Sequence, residues 1–194
     1  MTATTKTIDA IGFRSRAAPG SPLHIAREIL EQVRHPEAIF LQDIQFAADR
    51  ASGLGQFLCH RSSQFPNPGV SELTGGQLID SASQMAYCVT GLMIHSGVDL
   101  LGLDFRHFKD EIHAHRIHAV RTDIAFRHPC RVGRLFSIRA KLRRFRNGEL
   151  TISKREPRRY FVSLDLEASQ SPGGGEGRPL KLFRARIAAC RSMR

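Results

Sequence analysis

Between Glu72 and Asp99 the chain carries one formal charge, Asp80. Inside that stretch Leu78, Ala82, Met85, Val89 and Leu92 recur at helical spacing, and Ile79, Ala86 and Met93 widen the stripe. A helix this apolar is not a surface helix. Residues 75–97 are predicted to form one long helix wrapped by other structure on most sides. Thr74-Gly-Gly-Gln77 has the form of a capping box, with Thr74 as N-cap and Gln77 reaching back. Gly97 is suited to close the far end. The preceding Phe65-Pro-Asn-Pro-Gly69 must be a loop, because its prolines remove ladder donors and restrict the residues before them.

The flanking segments say what does the wrapping. Ser21-Pro22 reads as an N-cap followed by proline at the first helical position, and Ile25, Ile29, Leu30 and Val33 keep helical spacing. An amphipathic helix is expected over 22–34, ended by Pro36. From residue 38 the period shortens to that of a strand, with a phase slip near Gln42–Asp43. Ser52-Gly53 and Gly55 suggest a turn or bulge before a second strand from Gln56 to His60. After the central helix the pattern is mainly β: 117–126, 135–145, an Asn147-Gly148 hairpin turn into 150–153, then 160–166 and 180–189. Residues 169–178, with Gly173-Gly-Gly175, read as a flexible connection, and residues 1–20 as a loose arm.

Two strands, one buried helix and about four further antiparallel strands define an α+β chain. A single antiparallel sheet curled around one central helix satisfies that order. This is the hotdog fold, here with an extra N-terminal helix, as one domain over 21–194. Such a sheet exposes an edge, so a homodimer or a higher even homo-oligomer is expected.

Composition narrows the setting. With 41% hydrophobic and 24% charged residues, the chain has the balance of an ordinary soluble protein. No run approaches the ~18 apolar residues of a membrane span, and the first residues lack the apolar core of a signal peptide. Cys59, Cys88, Cys130 and Cys190 are widely separated, which favours free thiols and a cytoplasmic location. The net charge of +11 is lopsided: residues 1–130 hold 12 Lys/Arg and 13 Asp/Glu, residues 131–194 hold 17 and 5. Runs such as Lys141-Leu-Arg-Arg-Phe-Arg146 and Lys154-Arg-Glu-Pro-Arg-Arg159 fit an anionic partner, namely an acidic acyl carrier protein, CoA or nucleic acid. They fit a solvated basic face as well. Aromatic residues at 7% with no Trp leave few stacking platforms for nucleic acid. His113, His115 and His118 would place two imidazoles on one strand face, but no cysteine or carboxylate pair completes a metal site, and no metal or cofactor is expected.

Two segments resemble the FcoT-like family of hotdog acyl-thioesterases, the type III fatty-acyl thioesterases. They are Ile25-Ala-Arg-Glu-Ile-Leu-Glu-Gln-Val33 with Phe40-Leu-Gln-Asp-Ile-Gln-Phe46, and Ser71 through Ser83-Gln-Met-Ala-Tyr87. The resemblance covers about the first half of the chain. It implies acyl-thioester chemistry, and some relatives add glycine to an α,β-unsaturated acyl thioester before hydrolysing it. Those relatives place a histidine, an aromatic residue and an asparagine just before the central helix. Counting back from Gln84-Met-Ala-Tyr87, these positions fall on Glu72, Leu73 and Thr74. A carboxylate thus stands where the relatives hold histidine.

Attack on a thioester, at the carbonyl or at an unsaturated β-carbon, builds negative charge on the carbonyl oxygen. The helix N-terminus offers unpaired amides to that charge, and Gly75 and Gly76 allow close backbone approach. Glu72 is placed to orient or deprotonate a water. Asp80 is either catalytic or a paired structural acid. Thr74, Gln77 and Ser81 in the first turns, with Phe65, Asn67 and His60 around the loop, are candidate substrate contacts. The expected activity is a thioesterase acting on acyl-CoA or acyl carrier protein in fatty acid or polyketide-type secondary metabolism. Lyase-type chemistry at the β-carbon (hydration, dehydration or Michael addition of an amino acid) and a basic nucleic-acid-binding module are the alternatives.

Overall fold

The computed structural model describes residues 18–59, 72–153, 156–171 and 178–192. Three α-helices and six strands follow in the order α1 (Pro22–Leu30), β1 (Leu41–Ala47), β2 (Ser52–Phe57), α2 (Gly75–His95), α3 (Phe105–His113), β3 (Ile117–Phe126), β4 (Phe136–Ser153), β5 (Glu156–Gln170) and β6 (Leu180–Ser192). The strands form one antiparallel sheet in the order β1-β2-β4-β5-β6-β3. Its inner face closes around α2, as the charge-free stretch requires.

Alternation decides which face each strand buries. On β4 Phe136, Ile138 and Ala140 point inward while Arg139 and Lys141 are exposed. On β5 and β6 Leu164, Leu166, Ala168, Phe183, Ala185 and Ile187 join the core, and Arg184 and Arg186 face out. Arg139, Lys141, Arg184 and Arg186 therefore lie on the outer face of the sheet.

Glycine lets α2 approach that sheet. Gly53 and Gly55 are not a turn, as their residue types had suggested, but inward positions of β2. A Cβ on Gly53 would lie 2.9 Å from Val89 Cγ2, and one on Gly55 would lie 2.8 Å from Met85 Sδ. Backbone and helix meet there with no room for a methyl group. On the opposite side of α2, a Cβ on Gly91 would meet Phe108 of α3 at 2.8 Å and Ile29 of α1 more closely still. The two short helices thus lock α2 from behind, and the Glu28–Lys109 ion pair at 3.1 Å joins them to each other.

The ends of α2 follow the sequence reading. Thr74 caps it through a capping box, and Gly97 leaves it at φ +86, in the left-handed region that glycine adopts without strain. The slip in β1 is also observed, as a register shift between Leu41 and Asp43. Three expectations are corrected. The first helix ends at Leu30, with Arg34 N bonded to the Leu30 carbonyl at 2.9 Å in the turns that follow. Asn147-Gly148 is a register shift inside a continuous β4, not a hairpin turn, because Asn147 pairs with Tyr160 and Leu150 with Arg158. Finally, α3 interrupts what had read as β. Asp104 caps it by accepting from His107 N at 2.8 Å, and Phe108 and Ile112 are its buried residues. His113 accordingly ends a helix and His115 occupies a turn at φ +53, so the two imidazoles do not share a strand face.

No helix among the described residues is long and apolar enough to cross a membrane. The close approaches make a direct prediction. Gly91→Ala should overpack the α1–α2–α3 junction and cost about 2 kcal/mol. Urea unfolding followed by circular dichroism measures this, and a midpoint equal to the parent's would show that the junction yields.

Candidate functional site

The N-terminus of α2 has its amides unevenly satisfied. The Thr74 hydroxyl accepts from Gln77 N at 3.3 Å, and Gln77 Oε1 accepts from Thr74 N at 3.1 Å. Leu78 N donates to the Thr74 carbonyl at 3.2 Å. The amides of Gly75 and Gly76 have no partner among the described residues, as the geometry of a first helical turn dictates, and both residues are exposed.

Among the described residues nothing demands glycine at either position. A Cβ on Gly75 would sit 3.6 Å from the Phe126 ring, and one on Gly76 would sit 3.8 Å from Thr74 Oγ1. Both are ordinary contacts, and neither residue has a left-handed φ. Alanine would favour the helix by up to ~1 kcal/mol over glycine. Here two glycines leave open space beside two unspent donors, unlike Gly53, Gly55 and Gly91, which are held by their neighbours.

The remaining candidates fall into distinct places. Glu72 lies just ahead of the cap with an exposed side chain, and its backbone bridges to Arg131. Asp80 is paired: Arg34 Nη2 and Nε donate to its Oδ1 at 2.7 and 3.0 Å, and Gln84 Nε2 to its Oδ2 at 3.1 Å. Gln84 is fully buried and also spans to β1, donating to the Ala38 carbonyl at 2.7 Å and accepting from Phe40 N at 3.1 Å. Asp80 is thus held by three donated hydrogen bonds. Ser81 is buried, donates to the Gln77 carbonyl at 2.9 Å and lies 3.7 Å from Cys59 Sγ. It faces the interior, away from the glycine amides. Gln77 is committed to the cap. His60, Phe65 and Asn67 lie outside the described residues.

No activated thiol stands here. All four cysteines are buried, and burial pushes the Cys59 thiol up to about 11 and the Cys130 thiol up to about 12. At neutral pH both are protonated, and Cys59, Cys88 and Cys130 are free packing residues.

From Gly75 and Gly76 a stripe of α2 continues at helical spacing through Ile79, Ser83, Tyr87 and Thr90, passing from exposed to buried. Ile79 is 41% exposed, and Phe126, packed beside Gly75, is 49% exposed. Farther along, Ser83, Ala86, Tyr87, Thr90 and Arg34 border a cavity of about 250 Å³ whose other walls are Phe108 of α3 and residues of β3, β5 and β6. The sequence reading left out Arg34, Tyr87, Thr90 and Phe126 as site residues. The i, i+4, i+8, i+11 stripe beginning at Ile79 carried the signal, but its polar members broke the apolar pattern and were passed over.

A larger depression, about 630 Å³, lies on the opposite face of the sheet among Arg139, Lys141, Asp165, Glu167, Arg184 and Arg186. Its carboxylates are already engaged. Asp165 takes Arg186 at 3.0 Å and Arg143 at 3.3 Å, and a hydrogen bond from Lys181 at 2.9 Å holds the Glu167 carboxyl below the usual carboxylate range. Shape alone would favour it. Chemistry favours the helix terminus, where donors are open.

Compared by sequence, the chain matches no family model and no curated protein. Compared by structure, it is similar to the E. coli PaaI protein from the phenylacetic acid degradation operon, at TM-score 0.53 and 16% identity, over 88% of this chain and 92% of that one. The fold of this chain is the hotdog. A homologue of HP0420 from Helicobacter felis aligns at TM-score 0.50 and 10% identity, covering 85% of this chain and 98% of that one. Zebra fish thioesterase superfamily member 2 aligns at TM-score 0.49 and 10% identity, covering 88% and 98%. At these identities the likeness establishes the fold alone.

Asp80→Ala should leave the Arg34 guanidinium without its carboxylate and remove an acceptor from Gln84, costing about 2 kcal/mol. A lowered thermal midpoint in calorimetry is the expected result, and Asp80→Asn should recover part of it.

Proposed function

We propose that this chain is an acyl-thioester-processing enzyme of the thioesterase type, with its reaction centre at the N-terminus of α2. The observation that carries this reading is the pair Gly75 and Gly76, exposed, with open amides and no packing reason to be glycine among the described residues. The hotdog fold and the resemblance of residues 25–46 and 71–87 to FcoT-like thioesterases support it.

In this reading the thioester carbonyl oxygen points at the Gly75 and Gly76 amides. Glu72 takes a proton from a water as that water attacks the carbonyl carbon. The resulting oxyanion is stabilised by the two amides and the positive end of the helix. Collapse breaks the C–S bond, releases the carboxylic acid, and the departing thiolate takes the proton back from Glu72. Asp80 is a positioning residue: with Arg34 and Gln84 it fixes α2 against the turns after α1 and the start of β1.

The substrate arrives on CoA or an acidic acyl carrier protein. Exposed Arg127, His128, Arg131 and Arg134 lie in the segment that bridges to Glu72, close enough to receive phosphates. Ten-residue β3 forms one edge of the sheet, and pairing of two such edges into a homodimer would bring a second chain beside Phe126 and Ile79. Addition at an α,β-unsaturated β-carbon is the second reading, because its enolate places charge on the same oxygen and needs the same two amides.

Purified protein should release free thiol from a panel of acyl-CoA substrates. Gly76→Ala should hold or raise stability, by up to ~1 kcal/mol, yet lower kcat/KM at least tenfold. Unaltered turnover in that variant would remove the two amides from the mechanism. Glu72→Ala should lower kcat about 100-fold. Crotonyl-CoA with glycine, followed by mass spectrometry, separates hydrolysis from addition: a thioester heavier by one glycine would establish addition.

A further inference from the structure

The cavity beside α2 has a composition that simple acyl binding does not require. Its β walls are apolar, with Ile117, Val162, Leu164 and Ile187 among them, yet its helical side presents Tyr87 and Thr90. Thr90 is only 5% exposed. None of the hydrogen bonds within the described residues uses the Thr90 or Tyr87 hydroxyl. Neither hydroxyl belongs to the buried polar atoms that lack a partner, so both stay open to whatever fills the cavity, and they give its apolar walls a polar side that valine and phenylalanine would not.

Arg34 fixes the polarity of what can pair with them. Its Nε and Nη2 donate to Asp80, and its Nη1 donates to the Val33 carbonyl at 2.9 Å. The carboxylate balances the guanidinium, so the cavity holds no surplus positive charge for an anion. Burial raises the Tyr87 phenol above its ordinary value, so it remains a protonated donor at neutral pH. The nearby donors therefore suit a neutral oxygen acceptor.

Position links this cavity to the reaction centre. Gly76 and Tyr87 lie on one stripe of α2, about 16 Å apart along the axis, which is the reach of a medium-length acyl chain. A 150 Å³ cavity is known to admit benzene, so one of about 250 Å³ accommodates roughly ten heavy atoms.

We propose that the cavity receives the distal part of the substrate's acyl group, and that this part carries a neutral oxygen function (hydroxyl, ketone or amide) bonded by Tyr87 and Thr90. The proposal rests on the thioester reading and names its substrate class: oxygenated acyl thioesters in preference to plain alkyl ones. No covalent step is involved.

The test uses non-hydrolysable S-alkyl-CoA thioethers, matched dodecyl, 12-hydroxydodecyl and 11-carboxyundecyl forms, titrated calorimetrically into the full-length protein. The hydroxylated analogue should bind at least tenfold more tightly than the alkyl one. Tyr87→Phe and Thr90→Val should each shrink that ratio, and the double variant should bring it to about one. Equal or tighter binding of the alkyl form overturns the proposal, as does a ratio that survives in the double variant. Tightest binding of the carboxylated form overturns the neutral end group. Turnover of the corresponding acyl-CoA pair is followed in parallel. A binding preference without turnover would leave the cavity assignment standing and remove the thioesterase reading. Turnover without preference would do the reverse, and failure of every analogue to bind would overturn both.

Discussion

The distance between α2 and the sheet sets everything else in this structure. On one side Gly53 and Gly55 bring the backbone of β2 against Val89 and Met85, and on the other Gly91 admits Ile29 and Phe108. A methyl group at any of these points would push the helix away from a wall. Because protein interiors are packed nearly as densely as molecular crystals, such a shift would propagate along the whole element. The helix is thereby held along its length, and its N-terminus occupies one place relative to the rims of β3 and β6. Preorganised donors depend on that fixity.

The glycines also separate structure from chemistry. Three of them are explained by what their missing Cβ would strike. Among the described residues nothing of that kind explains Gly75 and Gly76, and they sit in the first turn of α2, where the capping box leaves their amides open. Thr74 and Gln77 satisfy the N3 amide and the cap residue, which stabilises the helix without closing the two donors in front of it. A cap made by a longer polar group over N1 and N2 would have stabilised the helix equally and sealed the site.

Much of this was readable from residue order. The charge-free stretch, its capping box and Gly97 located α2 to within two residues, because burial and end geometry are local demands written into consecutive positions. The strands around it followed from periodicity, with one too many where Asn147-Gly148 reads as a turn. The misreadings share one cause. Ser52-Gly53-x-Gly55 and Asn147-Gly148 have the residue types of turns, but the first serves close helix packing and the second a register shift. Glycine records that space or an unusual torsion is needed, not which of the two. The helix α3 escaped notice because its nine residues are mostly polar and bury only Phe108 and Ile112, too short a pattern to stand out.

Asp80 and the basic segment show where sequence stops. A lone carboxylate on an apolar helix announces that it must be paired or functional; that Arg34, 46 positions away, supplies the pair is a fact of how α1 and its following turns cross α2. Likewise the alternation determined that Arg139 and Lys141 on β4, and Arg184 and Arg186 on β6, each fall on one face, but only the assembled sheet decided that this face looks away from the helix. By itself the sequence determined that a helix would be buried, where it would begin, and that its first turn would carry two glycines. The tertiary structure decided that those glycines meet no packing demand among the described residues and that a polar-sided cavity lies further along the same stripe. Burial and capping are satisfied by neighbours in the chain, whereas an enclosed space exists only between elements that the chain brings together from far apart.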